Sequence, residues 1–207
     1  MRIVRKKDIQ TSNWSGGTTS ELFIFPTNSN YKDFNFAFRL SRATIEVEES
    51  VFTPLPNVKR KLMLLDGELE LIHEGQHTKK LKPLQFDTFS GDWNTKSIGK
   101  ATDFNLMMLG DTDGNYSVIK AKKKQFHTYK INHDFTVFYV AEGTLHFEDR
   151  SVNEGELIIF NGEANEASQE IILKKADVPC LFHILKEKEI NEEVVTKYAK
   201  QIQLEKS

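Results

Sequence analysis

The sequence predicts an all-β protein: two small β-barrels packed together, followed by one short C-terminal helix. Three observations support this. Large apolar residues alternate with polar ones along much of the chain. A strand–turn–strand pattern occurs twice. Helical spacing of apolar residues is confined to the last stretch, beyond position 189.

The first informative element is Trp14-Ser15-Gly16-Gly17-Thr18-Thr19-Ser20-Glu21. Adjacent glycines let the backbone adopt conformations closed to other residues and approach a bound group closely. An indole, several hydroxyls and a carboxylate around them can hold a small polar molecule, yet the same residues also make an ordinary β-turn. In Phe34-Asn35-Phe36-Ala37-Phe38-Arg39-Leu40-Ser41 every even position is large and apolar, which is strand patterning with a period of two. Arg39 and Ser41 then share the opposite face with Ala37 and Ala43, facing a cavity or water.

The repeat sets Leu62-Met63-Leu64-Leu65-Asp66-Gly67-Glu68-Leu69-Glu70-Leu71 on Phe138-Tyr139-Val140-Ala141-Glu142-Gly143-Thr144-Leu145-His146-Phe147. Each copy reads as an apolar strand, an acidic-Gly turn and an alternating strand, the pattern of a hairpin. Each is followed by a second turn and an apolar strand with an aromatic end, Leu84–Phe89 in the first copy and Leu157–Phe160 in the second. That succession is what a cupin barrel looks like, and two copies imply a bicupin. The polar, Gly-rich segment Gly110–Asn115 is the expected boundary, giving a first barrel over 1–112 and a second barrel with the helix over 113–207. In 189–202 the apolar positions 190, 194, 195, 198 and 202 keep helical spacing, predicting an amphipathic helix that caps a barrel or mediates homodimerisation.

Composition narrows the function. With 39% hydrophobic and 28% charged residues and a net charge of -2, the 207-residue chain carries no global basic field for nucleic acid or anionic membranes. The local cluster Lys120–Lys124 reads as a solvated loop. No apolar run approaches the ~20 residues that span a bilayer, and the first seven residues lack a signal-peptide core. The single Cys180 excludes an intrachain disulfide and fits a reducing compartment. The expected location is the cytoplasm.

Five segments, in order, resemble the HutD/Ves family of small bicupins. They are Trp14, Gly16, Gly17, Thr19 and Glu21; Arg39-Leu40-Ser41; Phe52-Thr53-Pro54-Leu55-Pro56-Asn57-Val58-Lys59-Arg60; Phe89-Ser90-Gly91-Asp92; and Asp103-Phe104-Asn105-Leu106-Met107. The chain departs from relatives that carry a longer Gly-rich run after the tryptophan, and Asn57 stands where Pro-Gly is common. The resemblance implies a bicupin fold. It also implies a link to histidine-utilisation operons, where relatives are thought to bind a pathway metabolite or limit flux.

For a metal, a cupin needs a close His-x-His pair with a carboxylate and a later histidine. None of His73, His77, His127, His133, His146 and His183 is so paired, and Lys59, Arg60 and Lys61 stand on the entering strand instead. Structural or surface roles are therefore expected for the histidines, with no metal and no cofactor. Cys180 has no basic partner nearby in sequence, and no Gly-x-Ser-x-Gly elbow exists. What remains is recognition of an anion, with Arg39 and Arg60 offering planar forks of donors suited to a carboxylate. Glu21 is either part of that pocket or a structural ion-pair partner for Arg39.

The expected site is thus Trp14, Gly16, Gly17, Thr18, Thr19, Glu21, Arg39, Ser41 and Arg60, with Trp93 a candidate for the opposite rim. The expected partner is a small carboxylate-bearing metabolite. Two alternatives stay open. One is a cupin-type isomerase or hydrolase using Glu21, His146 or His183 as a base. The other is a protein-interaction module whose barrels are purely structural.

Overall fold

The computed structural model describes the backbone of residues 1–119, 127–130, 134–147, 149–161, 170–174, 179–186 and 199–203. The regular structure is β-strand, with two short 3₁₀ turns and no α-helix among the described residues. The chain divides into two compact units, Ile9–Thr112 on one side and Met1–Asp8 with Asp113–Ser207 on the other. The first eight residues therefore lie with the second half of the sequence, because strand β1 (Arg2–Val4) pairs antiparallel with β17 (Leu157–Asn161).

The Ile9–Thr112 unit contains two antiparallel sheets. The larger runs in the order β2 (Gln10–Trp14), β3 (Gly17–Phe25), β4 (Phe38–Ile45), β11 (Ala101–Met108), β6 (Lys59–Gly67), β9 (Phe86–Ser90). The smaller is β5 (Glu49–Val51), β10 (Thr95–Ile98), β7 (Leu69–His73), β8 (His77–Leu81). Ile45, Leu62, Leu64 and Phe89 of the first sheet form one buried cluster with Leu69, Leu71 and Leu81 of the second, so the inner faces pack on each other. No sheet closes on itself among the described residues: the barrel-like unit is a pair of facing sheets.

The acidic-Gly turns are not hairpins. β6 pairs with β11 and β9, whereas β7 pairs with β8 and β10, so the chain crosses from one sheet to the other at Gly67. Gly67 sits at φ +87, and a Cβ there would run into the Lys100 carbonyl oxygen, so the corner selects glycine. The second copy repeats the device. β14 (Phe135–Val140) pairs with β17 and β19 (Pro179–Lys186), while β15 (Thr144–Phe147) pairs with β16 (Arg150–Asn153) and β18 (Glu170–Lys174). The sequence repeat is thus real, but it marks a corner between sheets.

Two other expectations shift. The strand predicted from Phe34 begins at Phe38, since Tyr31–Asp33 is a 3₁₀ turn that ends on Phe34 in the left-handed region (φ 50). Of the segment expected as terminal helix, 189–198 lies outside the described residues. Ala199–Gln203 is a strand, β20, pairing with β13 (His127–Lys130) and β18. Gln201-Ile202-Gln203 alternates with a period of two, which suits a strand as well as a helix end. No helix of the described residues is long and apolar enough to cross a membrane.

Candidate functional site

The ladder of the six-stranded sheet aligns the candidate residues. Arg39 on β4 lies opposite Met107 on β11, which lies opposite Arg60 on β6. The next inward-facing row is Ser41, Asn105, Leu62, and the one after it Ala43, Asp103, Leu64. Directly opposed residues of antiparallel strands share a face. Both arginines, Ser41, Asn105 and Asp103 therefore look into the same interior, where they line a cavity of about 710 Å³.

Both guanidiniums are held against aromatic rings. Arg39 lies over Tyr31, 4.4 Å from the ring centre, and Arg60 lies against the adjacent rings of Phe52 (4.8 Å) and Phe89 (5.0 Å). Such stacking fixes the plane of the fork before any ligand arrives. Arg39 Nε donates to Glu21 Oε2 at 2.7 Å, and its Nη1 donates to Ser41 Oγ at 3.2 Å. Glu21 is thus the ion-pair partner of an arginine that lines the cavity.

Asp103 and Asn105 are quoted in the family motif but were not among the expected site residues. They are 3% and 5% exposed, and Oδ1 of each has no hydrogen-bond partner. Burial pushes the Asp103 carboxyl up to about 7 against the pull of Arg60 and Arg42, so it is largely protonated in mildly acidic solution. Two buried acceptors aimed into a cavity want donors from outside the chain. The pairing of β11 with β4 and β6 brings Asp103 and Asn105 beside Arg39 and Arg60.

The Trp14–Glu21 segment is a β-hairpin, β2 to β3, with Ser15 and Gly16 at its turn and Trp14 opposite Gly17. Trp14, Ser15, Gly16 and Thr19 line the cavity, whereas Gly17, Thr18 and Glu21 do not. Gly17, at φ +150, is pressed against the Thr44 carbonyl oxygen, and Thr18 is matched in register with Thr44. These two build the wall. Of the other expected bases, His146 bonds Ser151 in the other unit, and the side chain of His183 is outside the description.

Trp93 does not form the opposite rim. It packs on the core cluster and against the rings of His73 (5.5 Å) and His77 (5.7 Å). Those histidines close the β7–β8 hairpin opposite each other. Both turn Nε2 to Oδ2 of Asp87 on β9, at 3.2 Å and 2.8 Å. Burial drives the His73 pKa down, outweighing the hydrogen bond and charge of Asp87 that favour its proton. Burial also works against the ionised Asp87, but the hydrogen bonds from His77 and the Thr88 N–H and the charge of Lys79 prevail and lower its pKa.

The HutD family profile matches residues 6–179. Among solved structures, HutD of Pseudomonas fluorescens SBW25 in a formate condition superposes with a TM-score of 0.71 at 18% identity, covering 89% of this chain and 98% of that one. The conserved protein of unknown function PA5104 of Pseudomonas aeruginosa PAO1 gives 0.72 at 17%, with the same coverage. The bacterial pirin YhhW of Escherichia coli in complex with nickel(II) gives 0.66 at 11%, again over 89% and 98%. At these identities the likeness is one of fold. The ATP-dependent dethiobiotin synthetase BioD of Cytophaga hutchinsonii is 50% identical over 42 residues, so the chain spans 20% of that protein's length, and none of its activity transfers. With a profile match over most of its length and the fold of a HutD protein, the chain belongs to the HutD family of cupin-like proteins.

Proposed function

We propose that the cavity of the Ile9–Thr112 unit binds a small carboxylate-bearing metabolite, clamped by Arg39 and Arg60, with no metal in the pocket. The observation behind this is one cavity lined by two buried, ring-braced guanidiniums and by Asp103, whose pKa is about 7. Glu21 offsets one positive charge, so below neutral pH the surroundings keep a net positive balance for an incoming anion. Membership of the HutD family supports placing that metabolite in histidine catabolism.

The test is a thermal-shift screen of histidine-pathway metabolites, other small carboxylates and sugar acids, with and without chelator. A ligand at about 100 times its Kd stabilises by roughly 2.7 kcal/mol, and each kcal/mol moves a chain of this size by about 2–4 °C. A shift confined to one carboxylate class and indifferent to chelator is expected. A flat screen overturns the proposal and leaves the interaction module.

A second reading, an isomerase or hydrolase, draws on Asp103. A buried carboxyl with a pKa of about 7 beside two arginines suits general acid–base work at neutral pH. It requires that Asp103→Asn keep ligand binding and lose turnover.

A further inference from the structure

We propose that His73, His77 and Asp87 form a binding site for one divalent transition-metal ion such as Zn²⁺, separate from the cavity. The ligand atoms come from three strands of both sheets: His73 ends β7, His77 opens β8, and Asp87 lies on β9. One ligand atom of each lies within 4.8 Å of those of the other two. Two imidazoles and a carboxylate suit Zn²⁺ and its neighbours, and three protein ligands leave a coordination position open.

The surroundings orient each ligand. His73 Nδ1 lies 2.8 Å from Thr95 Oγ1, and the Thr95 hydroxyl donates to the Trp93 carbonyl oxygen at 3.3 Å. With Nδ1 engaged by the Thr95 hydroxyl, Nε2 is the ring nitrogen turned toward Oδ2 of Asp87 and the one placed to ligate an ion. The other carboxylate oxygen is held from outside by Lys79 Nζ (3.3 Å) and the Thr88 N–H (2.9 Å), so Oδ2 is the one turned to the histidines. Phe89 and Trp93 pack against His73, and Phe89 touches both His73 (4.5 Å) and Arg60 (5.0 Å). His73 and Asp87 are buried, but the His77 side chain is 39% exposed and gives the ion a way in.

The two histidines flank the Glu74-Gly75 turn, and a search for a close His-x-His pair passes over them. Across a tight hairpin their spacing makes the two histidines direct cross-strand partners.

The experiment uses the full chain, free of any affinity tag and stripped with EDTA. Zn²⁺ uptake is measured by equilibrium dialysis with elemental analysis, and Co²⁺ substitution is followed by its visible absorption. The expected result is one Zn²⁺ per chain and a Co²⁺ spectrum of low coordination number. His77→Ala should abolish uptake, Thr95→Val should weaken it about 10–100-fold, and His146→Gln should leave it unchanged. Circular dichroism establishes that each variant is folded, and the half-exposed His77 makes the decisive change tolerable. No stoichiometric uptake by the wild type, or undiminished uptake by a folded His77→Ala chain, overturns the proposal. Neither outcome bears on the carboxylate screen, which depends on other residues.

Discussion

Arg39 and Arg60 occupy one row of the six-stranded sheet, with Met107 of the intervening strand between them. At the usual strand spacing their Cα atoms are about 10 Å apart, so the two long side chains can reach opposite ends of one small anion. Their surroundings differ. The Arg39 side chain is 8% exposed and tied to the 36% exposed Glu21, while Arg60 lies against two phenyl rings.

Arg39→Met keeps a long apolar side chain over Tyr31 and removes the charge. The variant should fold, and its affinity for the carboxylate found by screening should fall ten- to a hundredfold, the worth of a charged hydrogen bond. Titration calorimetry on wild type and variant decides it. Equal affinity removes Arg39 from the clamp.

Asp103 makes stability depend on pH in an unusual direction. Its folded pKa of about 7 exceeds its ordinary 3.8, so the folded chain keeps a proton that the unfolded chain releases. The resulting stabilisation is fully present below pH 3.8 and is lost as pH rises through 7; over that window it amounts to about 4 kcal/mol. Asp103→Asn should flatten this decline in urea titrations at pH 5, 6, 7 and 8. A slope unchanged by the substitution would mean that Asp103 ionises as an ordinary carboxyl.

The neighbouring glycines should respond differently to alanine. At Gly17 a Cβ meets the backbone oxygen of Thr44 at φ +150, and neither side can yield, so Gly17→Ala should cost more than about 2 kcal/mol. At Gly16 it meets the ring of Trp14, which is exposed and can swing away. Gly16→Ala should therefore cost little stability but disturb the cavity rim, weakening ligand-induced thermal shifts. Equal losses in urea melts would contradict this division between wall and rim.

In the other unit, Glu156 gathers Arg5 Nη1 (2.9 Å), the Asn153 N–H (2.9 Å) and the Lys6 N–H (3.4 Å). Burial opposes its ionisation, but the Asn153 N–H and Arg5 outweigh it and hold the pKa below the ordinary 4.5. The stability it contributes is present above pH 4.5 and lost as pH falls through the lowered value. Glu156→Gln should cost about 1–3 kcal/mol at pH 7 and make the acid limb of a stability–pH curve shallower. An unaltered acid limb would refute the assignment.

Strand content and the repeat were legible because alternation and recurrence are local properties of sequence. What Asp66-Gly67 and Glu142-Gly143 do was not, because a turn between partners and a corner between sheets use the same residues; pairing decides it, and pairing is long-range. Arg39, Arg60 and Ser41 stood out by chemistry, whereas Asp103 and Asn105 became functional candidates through burial without partners, which no pattern reveals. The His73–His77–Asp87 group needed the third dimension altogether, since Asp87 reaches the histidines from another sheet.

Strand β1 is made long before the strand it pairs with. Arg5 and Glu156, which fasten the N-terminal segment beside β17, are 151 positions apart. At 5–20 residues per second a ribosome needs roughly 10–30 s to cover that distance. Until then the opening residues have no sheet to join. When Leu157-Ile158-Ile159-Phe160 does emerge, it is a wholly apolar strand whose outer edge is vacant until β1 docks. Unpaired apolar edges invite other chains. The first eight residues thus act as a built-in edge guard, and a fragment beginning at residue 113 should aggregate unless a peptide of residues 1–8 is supplied with it.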